Sequence, residues 1–514
     1  MSTFVLSKQS KKCLWLGLIF ALVARLICNA VIPLTDTTEA RYAEIARKML
    51  ETGDWITPQH DYGVPFWAKP PLSTWLSAIS MKLFGVNEFA TRLPSTLFGI
   101  GTLLLIWLWC VPQRGRDFAL SACAILAGMS LFFMADGAVM TDSSLMLCTT
   151  LAMISFWRAL HTDNAAESKV WGYLFFVGLG LGLLAKGPLV GVLTFLPILP
   201  WIMLHKNWRQ VWRTLPWIRG GILMLAISAP WYFMAENKTP GFLNYFIFGE
   251  HFGRFLNPGW KGDKYGNAHG EPLGMIWAFW LIATLPWSFI FIARLSPMLK
   301  DSLWRNRDES SRNKITHNKW LSYLLLCSFT PLVFFSFAHN IIWTYPLPTL
   351  PAFAVLTMEF LAHRKNSDSM SPRLAAFNFF APVVLLMVAA MYIWGGGSYL
   401  KSSQKRIAEY YLSTRLDIAS GLYYYHRRYY SGEFYSAGKA KVVEANNLSN
   451  LLENGHNDFL VIRPNDFKEL TPEVRNHFKP ERQFGNFVLL KEVSASVATL
   501  HSRNTLREAA IPSS

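Results

Sequence analysis

The sequence predicts an all-α, polytopic membrane domain followed by a small α/β domain. Three observations carry that prediction. Apolar stretches of about 20 residues, the length that crosses a ~30 Å hydrocarbon core, recur through the first three quarters of the chain. Charged residues make up only 16% of the 514, and hydrophobic ones 52%, whereas a soluble domain carries about 25% charged residues. The last 119 or so residues then change character, with a tyrosine-rich stretch and short β-like runs.

The first apolar run, Leu14 to Pro33, follows Lys8, Lys11 and Lys12. It is long for a signal peptide and has no clear small-residue cleavage site, so it reads as an uncleaved first span. Further spans are expected near 93–112, 117–135, 142–160, 170–185, 188–204, 215–235, 273–294, 319–338, 345–362 and 374–395, giving eleven, or up to thirteen. Backbone polar groups in lipid must be satisfied within each segment, so these spans should be helices. The short apolar run 71–86 reads as interfacial. This assignment places the basic loops 113–116, 205–213, 294–319 and 363–373 on one side, which the positive-inside rule makes cytoplasmic. The loops 34–92, 136–141, 236–272 and 339–344, the Lys186 turn and the tail after 396 then face the other side. The expected domains are 1–395, in the membrane, and 396–514, an external α/β domain with strands at Phe459–Ile462 and Phe487–Leu490.

The net charge of +16 is accounted for chiefly by those basic loops. No separate basic domain suggests nucleic-acid binding. The six cysteines all lie in apolar segments without metal-binding spacing, so they read as small buried hydrophobes. Neither GxGxxG nor GxxxxGK[ST] occurs in a nucleotide-binding context.

The first external loop is the most informative segment. In Thr38–Leu50, the residues Tyr42, Ile45, Ala46, Met49 and Leu50 follow i, i+3, i+4, i+7, i+8, one apolar face of a helix expected to lie on the membrane plane with its charged face outward. Asp36 and Glu39 have capping-box spacing. Equally, a carboxylate near Arg41 and Lys69 suits a general base beside a phosphate clamp. Lys69 precedes Pro70-Pro71, a rigid start for another helix; it is either a snorkelling lysine or a phosphate ligand. Lys186, at the end of an apolar segment, is costly in lipid, so it reads as a donor-phosphate ligand or as a snorkelling lysine. Glu250 and Arg254 stand at i, i+4 and should pair. Asp142 reads as a helix cap or a site residue.

The runs Thr38-Glu39-Ala40-Arg41-Tyr42-Ala43-Glu44-Ile45-Ala46-Arg47, Gly53-Asp54-Trp55-Ile56-Thr57-Pro58 and Lys69-Pro70-Pro71 resemble the ArnT-like branch of the GT-C glycosyltransferases, a superfamily that includes aminoarabinose transferases of lipid A and protein mannosyltransferases. Supporting matches are Ala185-Lys186-Gly187-Pro188, Glu250-His251-Phe252-Gly253-Arg254-Phe255 and Trp343-Thr344-Tyr345-Pro346-Leu347-Pro348. The resemblance implies an inner-membrane enzyme that transfers a sugar, such as 4-amino-4-deoxy-L-arabinose, from undecaprenyl phosphate to lipid A or a related acceptor on the periplasmic side. It implies Glu39, with Asp36 in reserve, as catalytic carboxylate. Arg41, Lys69, Lys186, Arg254 and Tyr345 would bind the donor phosphate, and Tyr42, His251 and Asp142 would contact substrate. Two positions depart from the pattern. Thr38 stands where the family's usual aspartate would be, and Ala68 replaces the glutamate that often precedes the Lys-Pro motif. No cofactor is expected to be required; if a divalent metal binds, His251 is its candidate ligand. The alternatives are a protein O-mannosyltransferase-like enzyme, a lipid or sugar transporter or flippase, and a structural subunit. A transporter should show paired broken helices and internal symmetry, and neither is evident in the sequence.

Overall fold

The computed structural model describes residues 4–257, 259–266, 270–293, 318–362, 370–394, 402–415, 417–452, 454 and 456–493. Most of the expected basic loops 294–319 and 363–373 lies outside the described residues. The chain forms two compact units: residues 1–31 with 49–387, and residues 32–48 with 388–514. Segment 32–48 therefore belongs with the C-terminal residues, although it interrupts the membrane part of the sequence.

The first unit is helical. Its helices include α1 (Lys8–Val31), α2 (Thr38–Thr52, which runs from one unit into the other), α3 (Leu72–Phe84), α4 (Glu88–Arg114), α5 (Arg116–Ala127), α6 (Ser130–Ala135), α7 (Asp142–His161), α8 (Ala165–Lys186), α9 (Leu189–His205), α10 (Trp208–Thr214) and α11 (Trp217–Lys238). Among the described residues, six helices are long and apolar enough to cross a membrane: α1, α4, α7, α8, α11 and Pro372–Trp394. The protein is a multi-pass membrane protein. The other expected spans are helical but shorter or broken. Leu189–His205, Lys319–Phe335 and Leu347–Ala362 are apolar helices of fewer than 18 residues.

Two expected spans are interrupted. The run expected over 117–135 splits into α5 and α6, because Gly128 closes the first helix and Met129 is extended (ψ 133°). The run expected over 273–294 becomes Met275–Ala283 and Trp287–Ala293, bent by 105°. Pro286 lies in that break and cannot donate the amide hydrogen that would continue the ladder. The run at 71–86 is the 13-residue α3, about 20 Å long at 1.5 Å per residue and so short of a crossing.

Local sequence explains several helix starts. Asn87 caps α4 by accepting from Ala90 N–H at 2.8 Å, and Asn164 caps α8 by accepting from the amides of Ala166 and Glu167. The helices bury an aromatic-rich core in which Trp109, Phe156, Trp201 and Tyr323 are at most 2% exposed.

The second unit carries a five-stranded sheet in the order β4-β3-β5-β7-β6. Its strands are β3 (Leu422–Tyr425), β4 (Ala440–Val443), β5 (Phe459–Ile462), β6 (Phe478–Phe484) and β7 (Phe487–Glu492). The strands β4, β3 and β5 are parallel, and β7 and β6 add antiparallel neighbours. Both faces of β5 are covered. Phe459 and Val461 pack with Ile407, Ala408 and Tyr411, while Leu460 and Ile462 pack with Leu448, Leu451 and Val474. That two-sided burial is why β5 reads as an unbroken apolar run rather than an alternating one. The first two strands of the chain, β1 (Gln59–Asp61) and β2 (Val64–Pro65), form a separate hairpin ahead of Lys69 in the first unit.

Candidate active site

Charged residues from four segments of the first unit meet at helix ends. Lys186 is the last residue of α8, and Gly187 follows with φ +73°, a left-handed turn that leads into α9. The Lys186 ammonium is 2.7 Å from Asp142 Oδ1, at the first residue of α7. Asp142 Oδ1 also accepts from Thr344 Oγ1 at 3.1 Å. The aromatic ring of Tyr345 lies 4.9 Å from the same ammonium, a cation–π contact.

A second cluster centres on Glu250, within the π-helix Asn244–Gly253. Glu250 Oε2 is 3.2 Å from Lys69 Nζ and 3.1 Å from Arg254 Nη1. Its other oxygen accepts from the Tyr245 hydroxyl at 3.1 Å. The Glu250–Arg254 pair expected from i, i+4 spacing is therefore present, with Lys69 as a third member. Arg254 also lies 3.6 Å from Asp263. Burial alone would raise the Glu250 carboxyl; Lys69, Arg254 and the Tyr245 hydroxyl outweigh it and hold the group below its ordinary range.

His251 links the two clusters. Its Nδ1 is 2.8 Å from Phe246 O and its Nε2 is 3.2 Å from Lys186 O. Burial, and then the positive charge of Lys69, push its pKa below 6.5. With both ring nitrogens against carbonyls and a cation nearby, His251 is not arranged as a metal ligand. Among the described residues no group of three or more His, Cys, Asp or Glu could hold a metal ion.

The first unit thus gathers Lys69, Lys186, Arg254, Tyr345, His251 and Asp142. Lys186 is buried, whereas the Lys69 and Arg254 side chains keep 19% and 21% of their surface open. Glu250, Tyr245, Thr344 and Asp263 complete the arrangement. The Glu250–Arg254 spacing pointed to the first of these; nothing in the sequence pointed to Asp263 or Tyr245.

The remaining expected residues belong to the second unit. Asp36 does not cap α2. Its Oδ1 accepts from Ser431 N–H at 3.2 Å and its Oδ2 from the Ser431 hydroxyl, while its own amide donates to Ser402 O at 3.0 Å. Burial raises the Asp36 carboxyl to about 6 despite these hydrogen bonds. Glu39 instead reaches back toward the start of its helix, 3.4 Å from Thr35 N–H. Arg41 stacks over Tyr42 at 5.6 Å and hydrogen-bonds Tyr430.

The expectation that the charged face of α2 points outward is overturned. Ile45, Ala46 and Met49 are buried as expected, but so are Glu44, Arg47 and Lys48, at 0%, 6% and 1% exposure. Arg47 makes a bidentate pair with Glu44 at 2.7 and 2.8 Å. Lys48 reaches Glu433 at 3.0 Å and Glu44 at 3.6 Å, and Arg428 closes the network on Glu433. The charges are interior because each meets an opposite charge there, not because the helix lacks polarity.

Comparison with known proteins gives three findings. Residues 15–246 match the family model described as dolichyl-phosphate-mannose-protein mannosyltransferase. The undecaprenyl phosphate-alpha-4-amino-4-deoxy-L-arabinose arabinosyl transferase of Erwinia tasmaniensis is 29% identical over 371 residues, covering 70% of this chain and 61% of that protein. A protein of the same description from Sodalis glossinidius, the second of its kind there, is 31% identical over 63% of this chain and 55% of its own length. The chain thus spans about three fifths of the length of the curated relatives it matches. Among solved structures, ArnT from Cupriavidus metallidurans bound to undecaprenyl phosphate superposes with a TM-score of 0.74 at 18% identity, covering 94% of this chain and 98% of that one. In sequence the chain is similar to these arabinosyl transferases, and it shares the fold of the ArnT structure.

Proposed function

We propose that the protein is a glycosyltransferase that moves a sugar, 4-amino-4-deoxy-L-arabinose in the leading reading, from a polyprenyl-phosphate donor to lipid A or a related envelope acceptor. The observation that carries this reading is the convergence of Lys69, Lys186 and Arg254 at helix ends of the membrane unit, with Tyr345 beside them. Transfer breaks the bond between the sugar C1 and a phosphate oxygen, so negative charge develops on a lipid phosphate. Fixed cations in a water-poor site stabilise that charge. Glu250 and Asp142 keep the cations charged and oriented before the phosphate arrives. The Thr38-Glu39-Ala40-Arg41 motif, by resemblance alone, keeps Glu39 as the candidate acceptor of the proton released as the new C1–O bond forms. Asp36, with both oxygens on Ser431, anchors its loop instead. His251 orients the Lys186 backbone. No metal enters this scheme, since the donor set does not fit one.

The reacting face is assigned to the periplasm, and the membrane to the bacterial inner membrane, because basic loops then lie in the cytoplasm. The arabinosyl transferase relatives named above support the donor and acceptor. A second reading, transfer to protein Ser or Thr, draws on the mannosyltransferase family model over 15–246.

Mass spectrometry of lipid A and of envelope proteins, with and without the protein, separates the two. The proposal expects lipid A to lose the mass of one sugar when the protein is absent. Loss of a hexose from proteins alone would establish the second reading, and no change in either pool would overturn both.

A further inference from the structure

The α/β sheet of the second unit has a ligand crevice of its own. In the order β4-β3-β5, the chain passes from β3 to β4 on one side and then crosses to β5 on the other. That reversal is a topological switch point, and open parallel sheets bind ligands outside the carboxyl ends of the strands that flank such a point. A cavity of about 230 Å³ lies there, lined by residues at and after the ends of β3 and β5 and by Phe487 of β7. Its volume is below the ~300–1,000 Å³ of drug-sized pockets, so it suits one sugar ring rather than an extended chain.

The lining chemistry is specific. Arg427 and Arg463 are both exposed and line the cavity, and among the described residues neither makes an ion pair. Guanidinium groups are matched to carboxylates and phosphates. Tyr429 packs edge-on against Phe487 at 5.4 Å, and Arg427 stacks over Tyr429 at 5.5 Å. Those rings give an apolar wall for the C–H face of a sugar. Asp466 lines the same cavity and can accept from sugar hydroxyls.

The backbone supports the same location. His426 has φ +60°, and Arg427 N–H donates to Tyr425 O at 2.8 Å across it. This is the geometry of a classic γ-turn, which is rare and strained. The strain is held in place by the His426 amide on Val443 O at 3.0 Å and by its ring nitrogen on Glu444 at 2.6 Å. Strain of this kind collects at binding sites, and here it turns the chain sharply at the strand end that supplies Arg427 and Tyr429.

We propose that the crevice at the carboxyl ends of β3 and β5 binds a single anionic sugar residue, phosphorylated or carboxylated. Arg427 and Arg463 hold its charge, and Tyr429 and Phe487 hold its ring. This inference stands on the α/β domain alone and does not rest on the transfer reading.

Saturation-transfer NMR on the full chain in detergent tests it, with glucosamine 1-phosphate, glucuronate and glucose as probes, and with inorganic phosphate followed by phosphorus-31 line broadening. The expected result is ring-proton signal from one or both charged sugars and a much weaker signal from glucose. Signal from glucosamine 1-phosphate alone identifies a phosphorylated sugar, and signal from glucuronate alone a uronic acid. In the double variant Arg427→Gln/Arg463→Gln, which changes only exposed side chains, the charged-sugar affinity should fall tenfold or more; in Lys439→Gln, an exposed lysine of the same unit that does not line the cavity, it should be unchanged. Tyr429→Ala should weaken charged sugars while sparing inorganic phosphate. Undiminished sugar signal in the double variant, an equal loss in Lys439→Gln, or binding of inorganic phosphate without any sugar signal would each overturn the proposal.

Discussion

Two groups of charges set in similar sequence surroundings behave differently. Around Glu250, Lys69 and Arg254 keep about a fifth of their side-chain surface open. On α2, Lys48 and Arg47 are closed off, at 1% and 6%. Both are ion-pair networks in which two or more cations surround a buried glutamate. The first retains access for a further anion; the second does not. Openness, rather than the presence of charge, is what distinguishes the two networks. An interior network can be replaced by apolar groups without loss, but removal of one member leaves the others uncompensated.

The largest expected effect comes from breaking the closed network. Glu44→Ala leaves Arg47 buried without its bidentate partner and should cost about 3–5 kcal/mol of stability, seen as loss of folded protein in a detergent thermal-unfolding assay. Normal unfolding of this variant would remove the distinction drawn here. Next, Lys69→Met should lower transfer by about 10²–10³-fold, the usual loss when one charge-stabilising group is removed from a reacting site. Its unfolding temperature should stay near that of the wild type, because Glu250 keeps Arg254 and Tyr245. A variant that unfolds early would assign Lys69 to structure instead.

A smaller effect is expected from pH. The Asp36 carboxyl titrates near 6 when folded against 3.8 ordinarily, so the folded state holds its proton more tightly. Stability of the second unit should therefore fall as pH rises from about 4 to about 6, by on the order of 3 kcal/mol, and level off above that. Asp36→Asn should flatten this part of the curve in unfolding scans at each pH. A profile that the substitution leaves unchanged would contradict the burial assigned to Asp36. The smallest effect belongs to Tyr345→Phe. The ring over Lys186 survives, so transfer should change by no more than a few-fold, while Tyr345→Ala should forfeit about 0.5–2 kcal/mol of cation–π interaction in the same rate assay.

Much of this was legible in the sequence, for physical reasons. Spans announce themselves because lipid demands long unbroken apolar helices; α1, α4, α7, α8 and α11 match the expected runs closely. The break between α5 and α6 rests on the backbone of Gly128 and Met129 alone, and composition does not reveal it. The runs at Phe459 and Phe487 are the strands β5 and β7. Leu422–Tyr425 is also a strand, hidden in a tyrosine-rich stretch with no alternation. Lys69, Lys186, Arg254 and Tyr345 stand in the motifs, and the Glu250–Arg254 pair follows from helical spacing. The burial of the charged face of α2 was not legible. Its partner Glu433 lies 385 residues from Lys48, and no local pattern carries information over that distance.

The central claim is that the open cluster of the membrane unit holds a lipid phosphate. Its most direct test is the affinity of purified full-length protein for undecaprenyl phosphate, compared with Lys69→Met and Lys186→Met. The account predicts that each variant, still folded by thermal unfolding, binds at least tenfold more weakly; folded variants that bind with undiminished affinity would contradict it.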